Sequence, residues 1–172
     1  LGGESFFLNT FTAGPAGGWV SLAPSVPGDI AWFDCQPGQN LFIQSGSYLA
    51  CTANVETDTK FQGAKGMFSG ESMFFIRAFT QAGVGRVYYN SYGAIKQIPI
   101  QPGQTVTVDT GHLVAYTEGL QYTIGKVGGM KSLVFGGEGL VMHFQGQGTI
   151  WIQTRNVSGF ASTLIPFMPT GN

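Results

Sequence analysis

Two short phrases recur along this chain at nearly the same interval. Glu4, Glu71 and Glu138 each follow a glycine and precede a mostly apolar run, and they lie 67 residues apart. A second phrase, "CQPGQNLFIQSGSYLACT" from Cys35, returns 65 residues later as "IQPGQTVTVDTGHLVAYT" from Ile100. Because two independent sequence motifs recur at nearly the same interval, they indicate an internal duplication. A period of this size is typical of stacked or ring-arranged modules.

The phrases divide each module into a first half, which carries the "QPGQ" turn, and a second half, which carries the "GE" turn. The approximate boundaries are 3–31, 70–98 and 137–167 for the second halves, and 32–62 and 99–129 for the first halves. The chain thus begins in mid-module, at a leucine, so we expect a further first half upstream. We expect residues 1–172 to form one compact unit of modules in a pseudo-threefold arrangement.

Each half has the pattern of β-strands, because short apolar runs are framed by Pro-Gly, Ser-Gly, Thr-Gly or a leading glycine. The expected strands are NLFIQSG, TVTVDTG, SFFLNTF, SMFFIRAF, GWVSLA, GRVYYN and GTIWIQT. No stretch of more than ten residues combines a helical period with caps. The sequence therefore predicts an all-β fold of repeated β-sandwich modules, similar to a double-stranded β-helix.

The runs SFFLNTF and SMFFIRAF do not alternate between apolar and polar residues, so both faces of these strands should be covered. One small sandwich offers a single inner face per sheet. We therefore expect one of Phe6 and Phe7, and one of Phe74 and Phe75, at seams between modules or subunits. Because closing a ring removes exposed end faces, the chain is expected to form a homo-oligomer, either a trimer or another closed ring.

Composition excludes several classes of function. Charged residues make up only 10% of the chain, against about 25% in an average soluble protein. With a net charge of −1 and eight scattered basic residues, the chain lacks the basic patch expected of a nucleic-acid-binding protein. No segment has the roughly 18 continuous apolar residues that a membrane-spanning helix needs.

The three repeated glutamates are the sharpest candidates for a site. If a pseudo-threefold axis relates the modules, Glu4, Glu71 and Glu138 converge into a carboxylate ring that binds a cation. The alternative is that each carboxylate accepts hydrogen bonds from the backbone of its own turn, a local role that we favour. The turn glycines are Gly3, Gly70 and Gly137. We predict no resident metal or cofactor.

The remaining polar candidates favour structural roles. His112 and His143 lack the His-x-His spacing of a cupin-type metal site, so we expect them to be structural or solvent-facing. Cys35 and Cys51 align with apolar residues of the duplicate and lack a Cys-x-x-Cys pattern, so we expect buried free thiols. No Gly-x-Ser-x-Gly elbow or other catalytic set is present.

Five aromatic residues have the side chains needed to stack on bases or sugars: Trp32, Tyr88, Tyr89, Tyr92 and Trp151. Aromatic residues on strands are more often part of the core. Without basic neighbours, single-strand binding also lacks its electrostatic component.

Taken in order, these phrases resemble the mitochondrial-biogenesis family named for altered inheritance of mitochondria. The resemblance rests on Gly-Gly-Glu with its apolar strand and "FTA", on the "QPGQ" turns, and on the closing "GGEGLVMHFQGQGTIWIQT". It covers essentially the whole chain. It implies a β-sandwich module like that of the tryptophan RNA-binding attenuation protein, repeated and gathered in a ring, and it supplies no catalytic or ligand-binding residues.

We therefore expect a non-catalytic, ring-forming protein whose function is assembly or binding. The alternative is a small-molecule binder or an uncharacterised enzyme with sites at clefts between modules, where the tryptophan-binding relatives of the fold hold their ligand. RNA binding by analogy of fold is the least expected function. The expected compartment is the cytoplasm in a bacterium or archaeon, and the mitochondrion only in a eukaryote.

Overall fold

The structure is a computed structural model that describes residues 8–60, 74–126 and 140–169. These residues form one short α-helix, α1 (Val157–Leu164), and β-strands that make up most of the fold. The strands are β1 (Ile30–Cys35), β2 (Leu41–Gln44), β3 (Tyr48–Cys51), β4 (Glu56–Lys60), β5 (Phe75–Phe79), β6 (Gly85–Asn90), β7 (Ile95–Ile100), β8 (Thr105–Asp109), β9 (Leu113–Thr117), β10 (Leu120–Lys126), β11 (Leu140–Gly146) and β12 (Gly148–Gln153). The secondary structure of the described residues confirms the prediction of an all-β fold class.

The two "QPGQ" segments form the same turn. The N–H of the last glutamine donates to the carbonyl oxygen of the first over 2.9 Å in turn 36–39 and 3.0 Å in turn 101–104. The third residue of each turn has a positive φ, 82° at Gly38 and 83° at Gly103. This is the geometry of a type II turn, in which proline is common at the second position and glycine is preferred at the third.

The strands form three antiparallel sheets. Two have three strands, in the orders β1-β6-β3 and β10-β11-β8, and the central sheet has six, in the order β4-β5-β2-β9-β12-β7. We call the strands β1–β6 module 1 and the strands β7–β12 module 2. The β2–β9 pair joins one half of each module into the continuous central sheet.

The two modules pair their strands in the same way. The set β1-β6-β3 of module 1 corresponds to β7-β12-β9 of module 2, and β4-β5-β2 corresponds to β10-β11-β8. The registers also agree, because Trp32 lies opposite Tyr88 in module 1 and Gln97 lies opposite Trp151 in module 2. The pseudo-threefold arrangement stays a prediction, because the described strands make up two such modules.

The middle strands β2 and β5 of the central sheet lie between two cores. Successive residues of β2 alternate between two cores, with Leu41 and Ile43 in the core beneath β1-β6-β3 and Phe42 in the core beneath β10-β11-β8. In β5, Ala78 belongs to the first core and Phe75 to the second. The prediction that the continuous apolar run at β5 is covered on both faces is confirmed, and the reason is its position in a middle layer.

Aromatic residues meet at the seam between the modules. Phe75 of module 1 is 2% exposed, and its ring lies edge-on to Tyr116 of module 2 with centroids 5.2 Å apart. Phe42 of module 1 stacks on the same tyrosine at 4.9 Å. The predicted seam position is thus confirmed for Phe75, whereas Phe6 and Phe7 lie outside the described residues.

The expected strand GWVSLA at 18–23 is wrong, and residues 8–11 of SFFLNTF also lie outside any strand. Trp19 is 89% exposed. In modules 1 and 2 the corresponding glycine-led strand, β6 or β12, lies between two strands contributed by a first half. Segment 8–29 has no such strands beside it in the described structure, and a lone strand leaves its backbone groups unpaired.

The helix α1 was missed by the sequence analysis. Asn156 caps it, because its side-chain oxygen accepts the N–H of Gly159 over 2.9 Å. An asparagine followed by an eight-residue apolar and small-residue segment was the available signal. No helix in the described ranges is long and apolar enough to cross a membrane.

Candidate functional site

The predicted carboxylate ring and its turn glycines lie outside the described residues. These are Glu4, Glu71, Glu138, Gly3, Gly70 and Gly137. Their convergence and their local role both stay predictions. Within the part of the chain that the structure describes, no group of three or more histidine, cysteine, aspartate or glutamate side chains is placed to hold a metal ion.

The two histidines have separate partners. Nδ1 of His143 lies 2.8 Å from Oγ1 of Thr107, across the β8–β11 pair. Nδ1 of His112 lies 2.8 Å from the carbonyl oxygen of Gln153. Each ring therefore makes a local hydrogen bond, as expected for a structural or solvent-facing histidine.

The two cysteines are free thiols, as predicted. Cys35 is fully buried in the first core, and burial raises the pKa of its thiol to about 11. Cys51 is only half-buried, and its Sγ accepts a 3.2 Å hydrogen bond from the hydroxyl of Tyr48. Burial, together with this bond, raises the pKa of Tyr48. The prediction of reduced, buried thiols thus holds for Cys35, and Cys51 is reduced and only partly buried.

A cleft of about 600 Å³ lies at the seam between the modules. One wall is strand β1 with the residue before it, and the other is formed by residues of β7, β9 and β12. The lining residues are Asp29, Ile30, Ala31, Trp32, Phe33, Asp34, Tyr89, Ile95, Gln97, Thr117, Thr149 and Trp151. The cleft is large enough for a small organic molecule, for which pockets of about 300–1,000 Å³ are typical.

Asp29 holds the start of β1 to the start of β7. Its N–H donates to the carbonyl oxygen of Gly93 over 2.9 Å, and its carboxylate Oδ2 accepts the N–H of Ile95 over 2.9 Å. At Gly28 the backbones approach so closely that an added Cβ would overlap the carbonyl oxygen of Ser91. The glycine therefore permits the approach that sets the width of this end of the cleft.

Two residues of the cleft lining, Trp32 and Asp34, contact Arg86, which is not itself part of the lining. The Arg86 guanidinium donates twice to the Asp34 carboxylate, over 2.6 and 3.0 Å, and its central carbon lies 5.1 Å from the centroid of the Trp32 ring. The hydrogen bonds from Arg86 hold the pKa of Asp34 below its usual range. The Arg86 guanidinium thus covers part of the Trp32 ring through a cation–π contact.

The lining combines aromatic rings with negative charge. Two carboxylates, Asp29 and Asp34, face the cleft, and its described lining contains no lysine, arginine or histidine. Asp34 is paired with Arg86, whereas Asp29 takes part in neither of the two ion pairs found among the described residues. This arrangement suits a ligand with an apolar body and a positive charge.

Sequence reasoning identified part of this site. Of the five stacking candidates, the structure brings Trp32, Tyr89 and Trp151 to the cleft. Asp29 and Asp34 were missed. At the offset of 65 they correspond to Ala94 and Pro99. The signal was therefore a difference between the repeats, which residues shared by the repeats do not reveal.

Comparison with known proteins gives consistent matches. The family described as "Mitochondrial biogenesis AIM24" matches residues 1–155. An uncharacterised protein of Streptococcus pyogenes serotype M6 is 33% identical over 173 residues, covering 100% of this chain and 68% of that protein. A crystal structure of a Streptococcus pyogenes protein from a structural genomics consortium matches with a TM-score of 0.71 and 31% identity. That match covers 85% of this chain and 63% of the solved one, so the chain is similar to somewhat less than two thirds of that relative.

Proposed function

The chain belongs to the mitochondrial biogenesis AIM24 family, and we propose that it is a non-catalytic assembly protein whose β-modules join edge to edge into a ring. The observation that carries the proposal is the β2–β9 pair. This pair connects two modules that otherwise have their own sheets. Joining modules through strand edges is thus already in use inside the chain.

The two strands of the β2–β9 pair each have an equivalent strand that lies at the edge of another sheet. By the repeat, β8 of module 2 is the equivalent of β2, and β3 of module 1 is the equivalent of β9. In the described sheets β8 pairs only with β11, and β3 only with β6. An edge strand with unpaired backbone groups is a template for another strand. In a solution of this chain, β8 of one copy would pair with β3 of the next.

Such a contact joins two different surfaces, so it is head-to-tail. Head-to-tail contacts give a closed ring when the rotation between units closes, and an open filament when it does not. We propose a homo-oligomer in the form of a closed ring, a trimer or another small number of copies.

The internal pair also sets the register of the proposed contact. The N–H of Glu118 donates to the carbonyl oxygen of Asn40 over 3.1 Å, and two residues further along Phe42 lies opposite Tyr116. The equivalents at the offset of 65 are Thr107 on β8 and Cys51 on β3. Thr107 of one copy would therefore lie opposite Cys51 of the next, at a Cα separation of about 5.5 Å that a disulfide can bridge.

This register gives a direct test. We expect a Thr107→Cys variant to form disulfide-linked dimers and higher species on oxidation, visible on a non-reducing gel. The links should vanish when Cys51→Ser is added. Thr123→Cys is the matched control, because Thr123 is an exposed threonine on β10 at the opposite edge of the same sheet.

The unmodified chain provides the second measurement. We expect light scattering and sedimentation at micromolar concentration to show a defined oligomer. A monomer throughout that range, together with no more cross-linking for Thr107→Cys than for Thr123→Cys, would reject the assembly function.

The seam cleft favours a second function, the binding of a small organic cation. Aromatic faces attract cations by about 0.5–2 kcal/mol, and Asp29 supplies a carboxylate with no ion pair among the described residues. We expect 2-phenylethylamine to bind, and 3-phenylpropanoate, which has a similar shape and the opposite charge, to bind much more weakly. Calorimetry or NMR titration measures the difference.

The variant Asp29→Asn separates charge from structure at this site. Asparagine keeps an oxygen that accepts the Ile95 N–H, so the seam should stay intact while affinity for the amine falls about tenfold or more. Equal binding of the amine and the carboxylate, or an unchanged affinity in the variant, would reject the cation site.

We place the assembly in the cytoplasm. The matched relatives are bacterial, and a reducing compartment keeps the free thiols of Cys35 and Cys51 reduced. Nucleic acid is not among the proposed partners, because the eight basic residues are scattered along the chain.

A further inference from the structure

Strand β1 has a free edge along the seam cleft. In the described sheets β1 pairs only with β6. Every residue from Asp29 to Asp34 lines the cleft, although successive side chains of a strand point to opposite faces. The cleft therefore runs along the backbone of β1, and a strand edge forms one of its walls.

The hydrogen bonds of β6 identify the backbone groups at this edge. The N–H of Ser91 donates to the carbonyl oxygen of Asp29 over 3.1 Å, so these two opposite residues form a hydrogen-bonded pair. Along antiparallel strands such pairs alternate with pairs whose backbone groups point away from each other. In agreement, the carbonyl oxygen of Arg86, which lies opposite Asp34, accepts the N–H of Thr52 on the other side of β6 over 2.9 Å. The residues of β1 that direct both backbone groups to the cleft are Ile30, Trp32 and Asp34.

The equivalent edge of module 2, on β7, is protected. The N–H of Ile95 points away from β12 and donates to the Asp29 carboxylate over 2.9 Å. Backbone groups two residues apart on a strand point the same way, so Gln97 and Pro99 lie at the same edge. Proline has no N–H to donate. Of the three positions at this edge, one donor is therefore taken and another is missing.

The two edges differ at corresponding residues. At the offset of 65, Trp32 corresponds to Gln97 and Asp34 to Pro99. A proline on an edge strand is one of the devices by which proteins prevent unwanted strand pairing. Module 2 has this device, whereas the edge of β1 keeps its donors and faces a cleft of about 600 Å³.

We propose that the edge of β1 binds an extended peptide segment of another protein as an added strand. The N–H and C=O groups of a strand edge recur about every 6.8 Å, which matches the backbone of a second extended chain. Trp32 lies at the middle of the edge and would exchange hydrogen bonds with the peptide. The proposed ring uses the edges of β3 and β8, so the edge of β1 stays available within it.

The cleft also indicates the composition of the peptide. Its described lining contains Asp29 and Asp34 and no lysine, arginine or histidine. Paired residues of neighbouring strands share a face, so a residue opposite Trp32 would lie on the outer face together with Asp34. The next residue would lie on the face of Phe33, whose ring contacts Trp151. We therefore expect basic residues to alternate with apolar ones. This preference for positive charge rests on the cation site proposed above, whereas the backbone pairing does not.

The first test uses the capped peptide acetyl-Val-Lys-Val-Lys-Val-amide, titrated into the parent chain by calorimetry. We expect it to bind, and the same peptide with all valine and lysine backbone nitrogens methylated to bind at least tenfold more weakly. Methylation removes the N–H donors and keeps the side chains and the charge. Equal binding of the two peptides would reject strand addition.

The second test gives β1 the residue that β7 has. Asp34→Pro removes an N–H that points to the cleft, a position at which an edge strand tolerates proline. Asp34→Ala is the matched control, because both variants lose the carboxylate and its pair with Arg86 and only the proline loses the N–H. We expect the affinity for the peptide to be at least tenfold lower in Asp34→Pro than in Asp34→Ala. Similar affinities in the two variants would contradict pairing with β1.

Hydrogen exchange locates the added strand in the unmodified chain. At saturation with the peptide, we expect the amide of Trp32 to exchange at least tenfold more slowly and the amide of Gln97 to keep its rate. Protection of Gln97 without protection of Trp32 would place the peptide on β7 and show that the assignment to β1 is wrong.

The outcomes separate this inference from the cation site. If 2-phenylethylamine binds and both lysine peptides bind equally, the cation site stands and strand addition falls. If a peptide with glutamate in place of lysine binds as tightly and methylation still weakens it, strand addition stands and the preference for cations falls. If the peptide does not bind, the proposal is rejected, and a loss of self-association in Asp34→Pro would then identify a second copy of this chain as the partner of β1.

Discussion

Cys35 and Cys51 show how position alone sets the chemistry of a residue type. Cys35 ends β1 with its side chain in the first core, 3.9 Å from the carbonyl oxygen of Ala78. Cys51 ends β3 at a sheet edge and is half-buried. The thiolate is the reactive form, and burial disfavours it. Two free thiols in one small protein should therefore react at very different rates.

In chains diluted until they dissociate, we expect dithionitrobenzoate at pH 8 to label Cys51 in the folded protein and to leave Cys35 unlabelled until unfolding. The variants Cys35→Ser and Cys51→Ser assign the two rates. Rapid labelling of Cys35 in the Cys51→Ser variant, without unfolding, would contradict its placement in the core.

The raised pKa of Cys35 also gives a pH dependence. The folded state holds the pKa near 11, against an ordinary value of 9.0, so the unfolded chain loses this proton first. The contribution to stability is complete below about pH 9 and is lost as the pH rises towards 11. We expect the denaturant midpoint to fall over that window, and to fall less in Cys35→Ala. Equal losses in both proteins would show that another group dominates.

At the scale of elements, each "QPGQ" turn depends on a backbone conformation rather than on a contact. Gly38 and Gly103 have a positive φ, and an added Cβ at either position would meet nothing within 4 Å. Any cost of substitution there is therefore conformational. A left-handed conformation costs a residue with a side chain about 1–2 kcal/mol.

We expect Gly103→Ala to lower the free energy of unfolding by about 1–2 kcal/mol, and Gly38→Ala to do the same. Gly18→Ala is the control, because Gly18 also has open space around it but no positive φ. It should change stability by less than about 0.5 kcal/mol. Denaturant unfolding measures all three, and equal effects at Gly18 and Gly103 would contradict the turn assignment.

Many of the turns and strands were predictable from local sequence patterns. The Pro-Gly pairs identified both turns, and the glycine-led runs identified β6 and β12. The same pattern failed at 18–23, because a strand forms only beside partners that the local sequence does not contain. The cleft was not predictable in the same way. Its walls come from β1 and β7, and their approach depends on the β2–β9 pair between the modules.

At the scale of the whole molecule, the continuous central sheet couples the two modules. Phe75 belongs to module 1, yet it packs in the core of module 2 beside Tyr116 and Tyr122. A module cannot unfold alone without exposing part of the other's core. The two modules should therefore behave as one cooperative unit.

We expect a single denaturant transition that is the same by tryptophan fluorescence and by far-ultraviolet circular dichroism. Phe75→Ala should shift that transition by about 3–5 kcal/mol without splitting it, whereas Phe11→Ala, at an exposed position, should leave it in place. Two separated transitions in the parent chain would show that the modules are independent.

The position of β5 and β6 has a consequence for how the protein is made. Each described strand of residues 30–60 finds its partner within module 1 only in β5 or β6. On the ribosome, β2 and β4 must therefore wait unpaired until residue 79 has emerged, and β1 and β3 until residue 90 has emerged. At about 5–20 residues per second that wait lasts a few seconds, which is long enough for a nascent chain to meet a chaperone or a neighbouring nascent chain.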